Sequence, residues 1–422
     1  MTHSPNIERI VAILSAFDHK NRPLQPMDIL TRSGVARSTG FALLAALTNR
    51  GYLEKVEGGY RLGSASRDLP FAPIDRVEDR ATLRAGPLTT IAAPEGLKMH
   101  PQLFDLVSLP PIGSSPPWKI GFANASRSNP WRVALERSVT EKHARLSPWI
   151  SDIIVRNAED DAEQQASQLE ELVSLGIDAL VISASPQTNH KLTSSLRRCM
   201  KRGLPVVALD RRPVRDDCYT VFVTASDDLI GRLSAIWLSE HLKGEGNVWL
   251  LSGLRGASPT ERRLKAALSV FEELPNVAIT AHRYTTWTRE GGRSSIEELL
   301  SRSDQIPDGV WSDSGLQGLG SIDAFLTARV PIPPHTGGDV NGIYRAALKN
   351  RIPLCAIDYP SSMGAKAIDT AIALLRGEST TRRIEAPTPV ILTKGYETKN
   401  VKADIWAEDH TRWDLPDDAL LS

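Results

Sequence analysis

Cysteine is scarce in this chain of 422 residues: Cys199, Cys218 and Cys355 are the three present, far apart and odd in number. That spacing excludes a disulfide framework and a cysteine-built metal cluster, and it fits a reducing compartment. Net charge is missing too, because 50 lysines and arginines balance 50 aspartates and glutamates, so no global field steers the chain to nucleic acid or membrane. No apolar run approaches membrane-spanning length. The start, MTHSPNIERI, lacks the basic tip, apolar stretch and small-residue cleavage site of a secretory signal, so a cytoplasmic protein is expected. Absent as well are G-x-x-x-x-G-K-[ST], H-E-x-x-H and G-x-S-x-G, and the glycines of GLQGLG (315–320) are wrongly spaced for a dinucleotide turn. Nine scattered histidines show no base and nucleophile pairing. No catalytic residue, metal ligand or cofactor is expected.

What is present divides the chain into parts, since its length suits two or three domains. Apolar residues at 7, 10, 11, 13, 14 and 17 fall at helical spacing, and a second short helix is expected over 26–31. Ser33 and Gly34 supply a tight turn into a third helix that begins near Arg37 or Ser38, with Phe41, Leu43, Leu44 and Leu47 available for its buried side. Extended pieces at 52–56 and 60–62 flank Gly58-Gly59, which tolerates the positive φ of a two-residue hairpin turn. Eight basic residues against five acidic ones make residues 1–63 mildly basic. A plain three-helix packing unit would show the same helices, and the hairpin argues for a winged reader instead.

From 64 to 117 the chain carries nine prolines and no sustained periodicity, as a connector does, although a stretch such as 103–109 is apolar enough to dock on a neighbour. Beyond Trp118 the texture becomes strand, helix, strand, helix, the pattern of parallel sheets with crossover helices, an α/β class. Strands are expected at 119–122, 153–157, 179–183, 206–209, 221–224, 248–252, 279–284, 309–312 and 354–357, with helices over 162–175 and 229–241. In such sheets a ligand meets the C-terminal ends of strands. Those ends hold Asn129, Trp131 and Arg132, then Asp210 and Arg211, Arg262 and Arg263, Trp287, Asp313 and Ser314, Asp339, and Asp358. Carboxylate, amide and guanidinium groups suit sugar hydroxyls, and an indole face suits the C–H side of a ring. Trp249 and Trp311 lie within strands and read as core.

The segment SGVARSTGFALLAALTNRGYLEKVEGGYRLG resembles the winged helix-turn-helix of the isocitrate-lyase-regulator family. The resemblance implies that the third helix enters a major groove, with Arg37, Ser38, Thr39 and Phe41 near DNA and Lys55 and Arg61 on the wing. Residues 118–398 resemble the type I periplasmic sugar-binding domains of the ribose-binding and lactose-repressor kind, which implies a two-lobed fold. Ligand roles then pass to Asn129, Trp131, Asp210, Arg211, Arg263, Trp287 and Asp339, with Ser314 standing for a usual Asn and Asp358 for a usual Gln. The implied arrangement is a DNA-binding domain at 1–63, a linker at 64–117, a sensor at 118–398 and a tail at 399–422. It implies a ligand-controlled regulator whose partners are operator DNA and a second copy in a homodimer. A transport receptor and a Rossmann-like enzyme are the rival classes. Four arginines (132, 211, 262, 263) face four aspartates (210, 313, 339, 358) if all line one pocket, a balance that suits a neutral monosaccharide, sugar alcohol or cyclitol.

Overall fold

The computed structural model describes residues 23–35, 37–49, 52–63, 100–103, 105–109, 114–146, 149–187, 190–303, 305–413 and Leu415, together with Ile10, Ile13, Leu14, Ala16 and Phe17. The chain forms two compact units, Met1–Thr90 and Ile91–Ser422.

In the first unit Pro26 opens helix α1 (Pro26–Ser33), where a missing N–H costs nothing, and Gly34, at φ 67°, ends it in the left-handed conformation. Helix α2 (Arg37–Asn49) packs its Leu43, Leu44 and Leu47 inward with Ile29 and Leu30 of α1. Gly40 is required at the crossing, since a methyl group there would overlap the Leu30 side chain. Of the expected first helix, which lies mostly outside the described residues, Ile10, Ile13, Leu14 and Phe17 are buried. Strands β1 (Leu53–Val56) and β2 (Gly59–Leu62) pair antiparallel with Val56 opposite Gly59. The turn is therefore Glu57-Gly58, not Gly58-Gly59 as expected. Gly59 serves another need: a side chain there would meet the Leu24 carbonyl, whose residue bridges to Tyr60.

In the second unit β3 (Leu106–Val107) precedes an alternating run. Its first part is β4 (Trp118–Asn124), α3 (Pro130–Leu146), β5 (Ile150–Asn157), α4 (Ala162–Ser174), β6 (Ala179–Ile182), α5 (Lys191–Lys201), β7 (Val206–Leu209), β8 (Val221–Ala225) and α6 (Asp227–His241). Its second part is β9 (Gly246–Ser252), α7 (Ser258–Phe271), β10 (Val277–Tyr284), α8 (Arg289–Arg302), β11 (Gly309–Ser312), α9 (Gly315–Ala328), β12 (His335–Thr336), α10 (Asn341–Asn350), β13 (Leu354–Ile357) and α11 (Met363–Leu375). Four short strands close the chain, β14 (Thr380–Thr381), β15 (Arg383–Ala386), β16 (Val390–Leu392) and β17 (Ile405–Trp406).

Two sheets result, each the floor of a lobe. The first runs β5-β4-β6-β7-β8-β15, all parallel. The second runs β10-β9-β11-β12-β13-β16-β17, parallel until β16 reverses against β13. Strands such as VVAL of β7 and LCAI of β13 are buried throughout, as both faces of a parallel sheet are covered by helices. In both sheets the earliest strand of the run lies between its two successors, so the crossover direction reverses beside β4 and beside β9. These reversals open crevices at the strand C-terminal ends. The backbone passes between lobes three times, after β8, after β13 and after β15.

Two expected boundaries are corrected. The end of the supposed linker is part of the first lobe: Leu106 and Val107 pair with β14, and Arg382 donates its N–H to the Asp105 carbonyl at 2.7 Å. The supposed tail after 398 is part of the second, because Ile405 and Trp406 extend its sheet beside β16. Among the described residues no helix is long and apolar enough to cross a membrane.

Candidate ligand cleft and nucleic-acid interface

Helix α3 begins where the chain leaves β4. Asn129 accepts the Arg132 N–H at 2.9 Å and so fixes the first turn, which aims Trp131 and Arg132 into the space between lobes. Arg132 is only 2% exposed and forms an ion pair with Asp210, while its other nitrogens reach Asn124, Ser126 and Ser183. Asp210 leaves β7 with a φ of 61°, and its carboxylate also accepts from Ser183 (3.1 Å) and the Tyr359 hydroxyl (3.1 Å). The next residue, Arg211, pairs with Asp160 and lies 5.1 Å from the Trp287 ring.

The second lobe supplies the facing wall. Arg263, on α7, bonds to Asp227 at 2.9 Å and to the Asp313 carbonyl at 2.8 Å, and sits 4.4 Å over the Tyr359 ring. Trp287 occupies its place because Gly253 has no side chain to obstruct the indole, whose Nε1 donates to Asp313 at 3.0 Å. Trp287 (φ 56°) and Asp339 (φ 76°) share with Asp210 a left-handed backbone that side-chain-bearing residues avoid. Conformational strain of this kind gathers where a site imposes it.

One cavity unites these groups, with about 440 Å³ of space outside protein atoms, part of it open to solvent. It is lined by Asn129, Trp131, Arg132, Asp210, Arg211, Arg263, Trp287, Ser314 and Asp339 and, unforeseen, by Pro259, Leu316, Val340 and Tyr359. The lobes are closed on one another: Trp131 Nε1 donates to the Tyr359 carbonyl at 2.7 Å, Asn129 to that of Trp287 at 3.4 Å, and the Arg212 N–H to Ser258 at 2.8 Å. Trp131 and Tyr359 rings lie 5.3 Å apart.

Three expected lining residues are placed elsewhere. Asp313 is spent inside the lobe, accepting from Trp287, Gln317 and the Gly253 N–H, so it holds the indole rather than facing the cavity. Asp358 pairs with Arg412 at 2.6 Å behind the wall. Arg262, one helical step from Arg263, points away and pairs with Asp228. The expected balance of four charges against four thus gives way to three arginines, each matched to a carboxylate: Arg132 with Asp210, Arg211 with Asp160 and Arg263 with Asp227. Burial pushes Asp339 up to about 7 against the pull of Arg263, and it pushes Asp227 and Asp313 up to about 6. Near neutrality Asp339 can donate or accept a hydrogen bond. Tyr359 and Asp227 follow strand ends and were within reach of the rule that found the others. Arg412, distant in sequence, was not.

In the first unit Arg37 opens α2 and is exposed, Thr39 is half-buried, and Lys55 is exposed on the hairpin. Ser38 lies in the first turn of α2, its side chain outside the described ones. Arg61 is held by Glu54 across the hairpin at 2.8 Å. Phe41 is 49% exposed, so its expected place on the buried side is corrected. Among the described residues no cluster of His, Cys, Asp and Glu is arranged to hold a metal ion.

Comparison with known proteins agrees with this division. The family model for the IclR helix-turn-helix domain matches residues 6–57, and that for the periplasmic binding protein domain matches residues 120–379. The ribose import binding protein of Bacillus subtilis (strain 168) is 25% identical over 277 residues, covering 65% of this chain and 87% of that protein. A xylitol-binding protein of Mycolicibacterium smegmatis is 25% identical over 183 residues, 43% of this chain and 52% of that one. Among solved structures, an ABC transporter solute-binding protein of Bacillus halodurans with bound myo-inositol superposes with a TM-score of 0.61 at 20% identity, covering 67% of this chain and 96% of that one. The chain belongs to the periplasmic binding protein domain family and carries an IclR helix-turn-helix domain ahead of it.

Proposed function

We propose that this protein is a cytoplasmic, homodimeric transcriptional regulator that senses a neutral monosaccharide, sugar alcohol or cyclitol. The observation that carries the reading is the joining, in one chain, of a helix-turn-helix domain to a cleft whose arginines are all matched by carboxylates. A phosphorylated ligand needs unmatched donors, and this wall offers a matched set with two indole faces. Asn129, Arg132, Asp210, Arg211, Arg263, Ser314 and Asp339 would fix hydroxyls, and Trp131 and Trp287 would cover the carbon skeleton. Arg37, Ser38, Thr39 and Phe41 would meet DNA from α2, with Lys55 and Arg61 on the hairpin. Two copies would read half-sites about one helical turn, or a multiple of it, apart. The relatives bind ribose and xylitol by name, and a transport role would suit the sensor alone; the helix-turn-helix domain favours regulation.

Thermal shift with ribose, xylitol and myo-inositol beside sugar phosphates tests the ligand class, since binding to the folded state alone raises the melting temperature. Stabilisation by phosphates only would refute it. Gel shift on upstream DNA with and without the stabilising ligand tests the regulation, and equal operator affinity in both would refute the coupling, because a ligand acts only through its differential affinity for two states.

A further inference from the structure

The C-terminal segment touches both lobes and the hinge between them. Ile405 and Trp406 are strand neighbours of β16 in the second lobe. Asn341 and Arg412 then exchange two hydrogen bonds, the Arg412 N–H to Asn341 Oδ1 at 2.7 Å and Asn341 Nδ2 to the Arg412 carbonyl at 3.0 Å. The Arg412 guanidinium, buried, reaches Asp358 Oδ1 at 2.6 Å and the carbonyls of Asp339 and Tyr359, each at 3.4 Å. Three residues on, Leu415 is 2% exposed and packs on Ala134 of α3, the first-lobe helix whose opening turn carries Trp131 and Arg132.

We infer that residues 405–413 with Leu415 form a strap that biases the cleft toward closure, and that Arg412 is its positioning residue. The backbone already crosses between lobes three times, and the strap adds a noncovalent fourth tie. Its location decides what it can do. The Tyr359 carbonyl receives Trp131 Nε1 from the first lobe and Arg412 from behind, so one oxygen in the crossing after β13 is gripped from both sides. Opening the lobes must break the Trp131 bond and also pull Leu415 from Ala134. The Leu415 contact is apolar and asks little of geometry, while the Arg412 anchor behind the Tyr359 carbonyl is a buried charge-assisted cluster. Removing the Arg412 cation would leave the Asp358 carboxylate buried without its partner and free the Asp339 and Tyr359 backbone, both of which line the cavity.

The effect on affinity rests on the sugar-cleft reading; the effect on closure does not. Spin labels on exposed positions 201 and 272, one per lobe, report the interlobe distance of the full chain without any ligand, and the three native cysteines are buried. Arg412→Ala and Leu415→Ala should each broaden that distribution toward longer distances, Arg412→Lys should restore part of the short component, and ribose, xylitol or myo-inositol, whichever binds, should bind at least about tenfold more weakly to Arg412→Ala. A role in stability alone would lower the melting temperature of Leu415→Ala and leave its distance distribution at that of the parent. That result would overturn the strap, even if Arg412→Ala failed to fold. If none of the three probes binds, the distances still decide the matter.

Discussion

The two units treat charge in opposite ways. In the helix-turn-helix unit Arg37 and Lys55 are exposed and Arg61 meets Glu54 at the surface, where ion pairs contribute little and are screened by salt. In the cleft Arg132, Arg211 and Arg263 are all but sealed from water and each is matched to a carboxylate. Under the proposed function the contrast follows from what each unit would address. A partner as large and charged as DNA brings its own counter-charge and needs cations left free. A small neutral ligand can be held only by dipoles already aligned before it arrives, and buried ion pairs keep those groups in place.

The comparison breaks most visibly if a cleft arginine is removed. Arg132→Ala takes from buried Asp210 its principal cation, leaving it Ser183, Tyr359 and, at 4.0 Å, Arg211, and the second unit should lose on the order of 3–5 kcal/mol in urea unfolding. A loss below about 1 kcal/mol would show that water already reaches the pair. Next in size is Gly253→Ala. The added methyl would overlap the Trp287 ring, so the indole must leave the cavity wall, with a cost of about 1–3 kcal/mol and a matching loss of affinity for whichever of ribose, xylitol or myo-inositol binds. Unchanged affinity would separate Trp287 from the ligand.

A smaller effect is set by pH. Asp339 is raised to about 7 by burial, with Asp227 and Asp313 raised to about 6, above the ordinary range near 3.8. Carboxyls that hold protons more tightly when folded contribute stability that is complete below the unfolded pKa and is lost as pH rises through the folded one. Melting temperature should therefore fall between pH 5 and pH 8 from this source, and Asp339→Asn should flatten the fall, its gain over the parent appearing near pH 8. Parallel curves for the two proteins would remove Asp339 from the account.

The smallest change in stability is expected at the exposed end. Arg37→Ala should leave unfolding within about 0.5 kcal/mol of the parent, as surface substitutions do. Its operator affinity should nonetheless drop, and the salt dependence of binding should become shallower by about one counterion. If stability falls as well, Arg37 holds the helix rather than the DNA.

Read alone, the sequence determined the alternation of elements and much of the cleft. Strands expected at 206–209, 309–312 and 354–357 are observed at those limits, because a buried parallel strand is a short apolar run that stops abruptly at a polar residue. Nine of the expected lining residues meet at one cavity for the same local reason: in this topology strand ends converge. What tertiary structure decided is the phase and the long-range pairing. Whether Arg262 or Arg263 faces inward depends on how α7 is rotated at the lobe boundary, and one residue turns a helix by about 100°. The withdrawal of Asp313 from the cavity depends on Trp287 and Gly253, and that of Asp358 on Arg412. Two-residue strands such as His335–Thr336 and Ile405–Trp406 carry too little pattern to be seen before their neighbours are in place. An ion pair between residues 358 and 412 leaves no periodic trace in the chain, because its energy comes from a shared burial that exists only once the chain has folded around it.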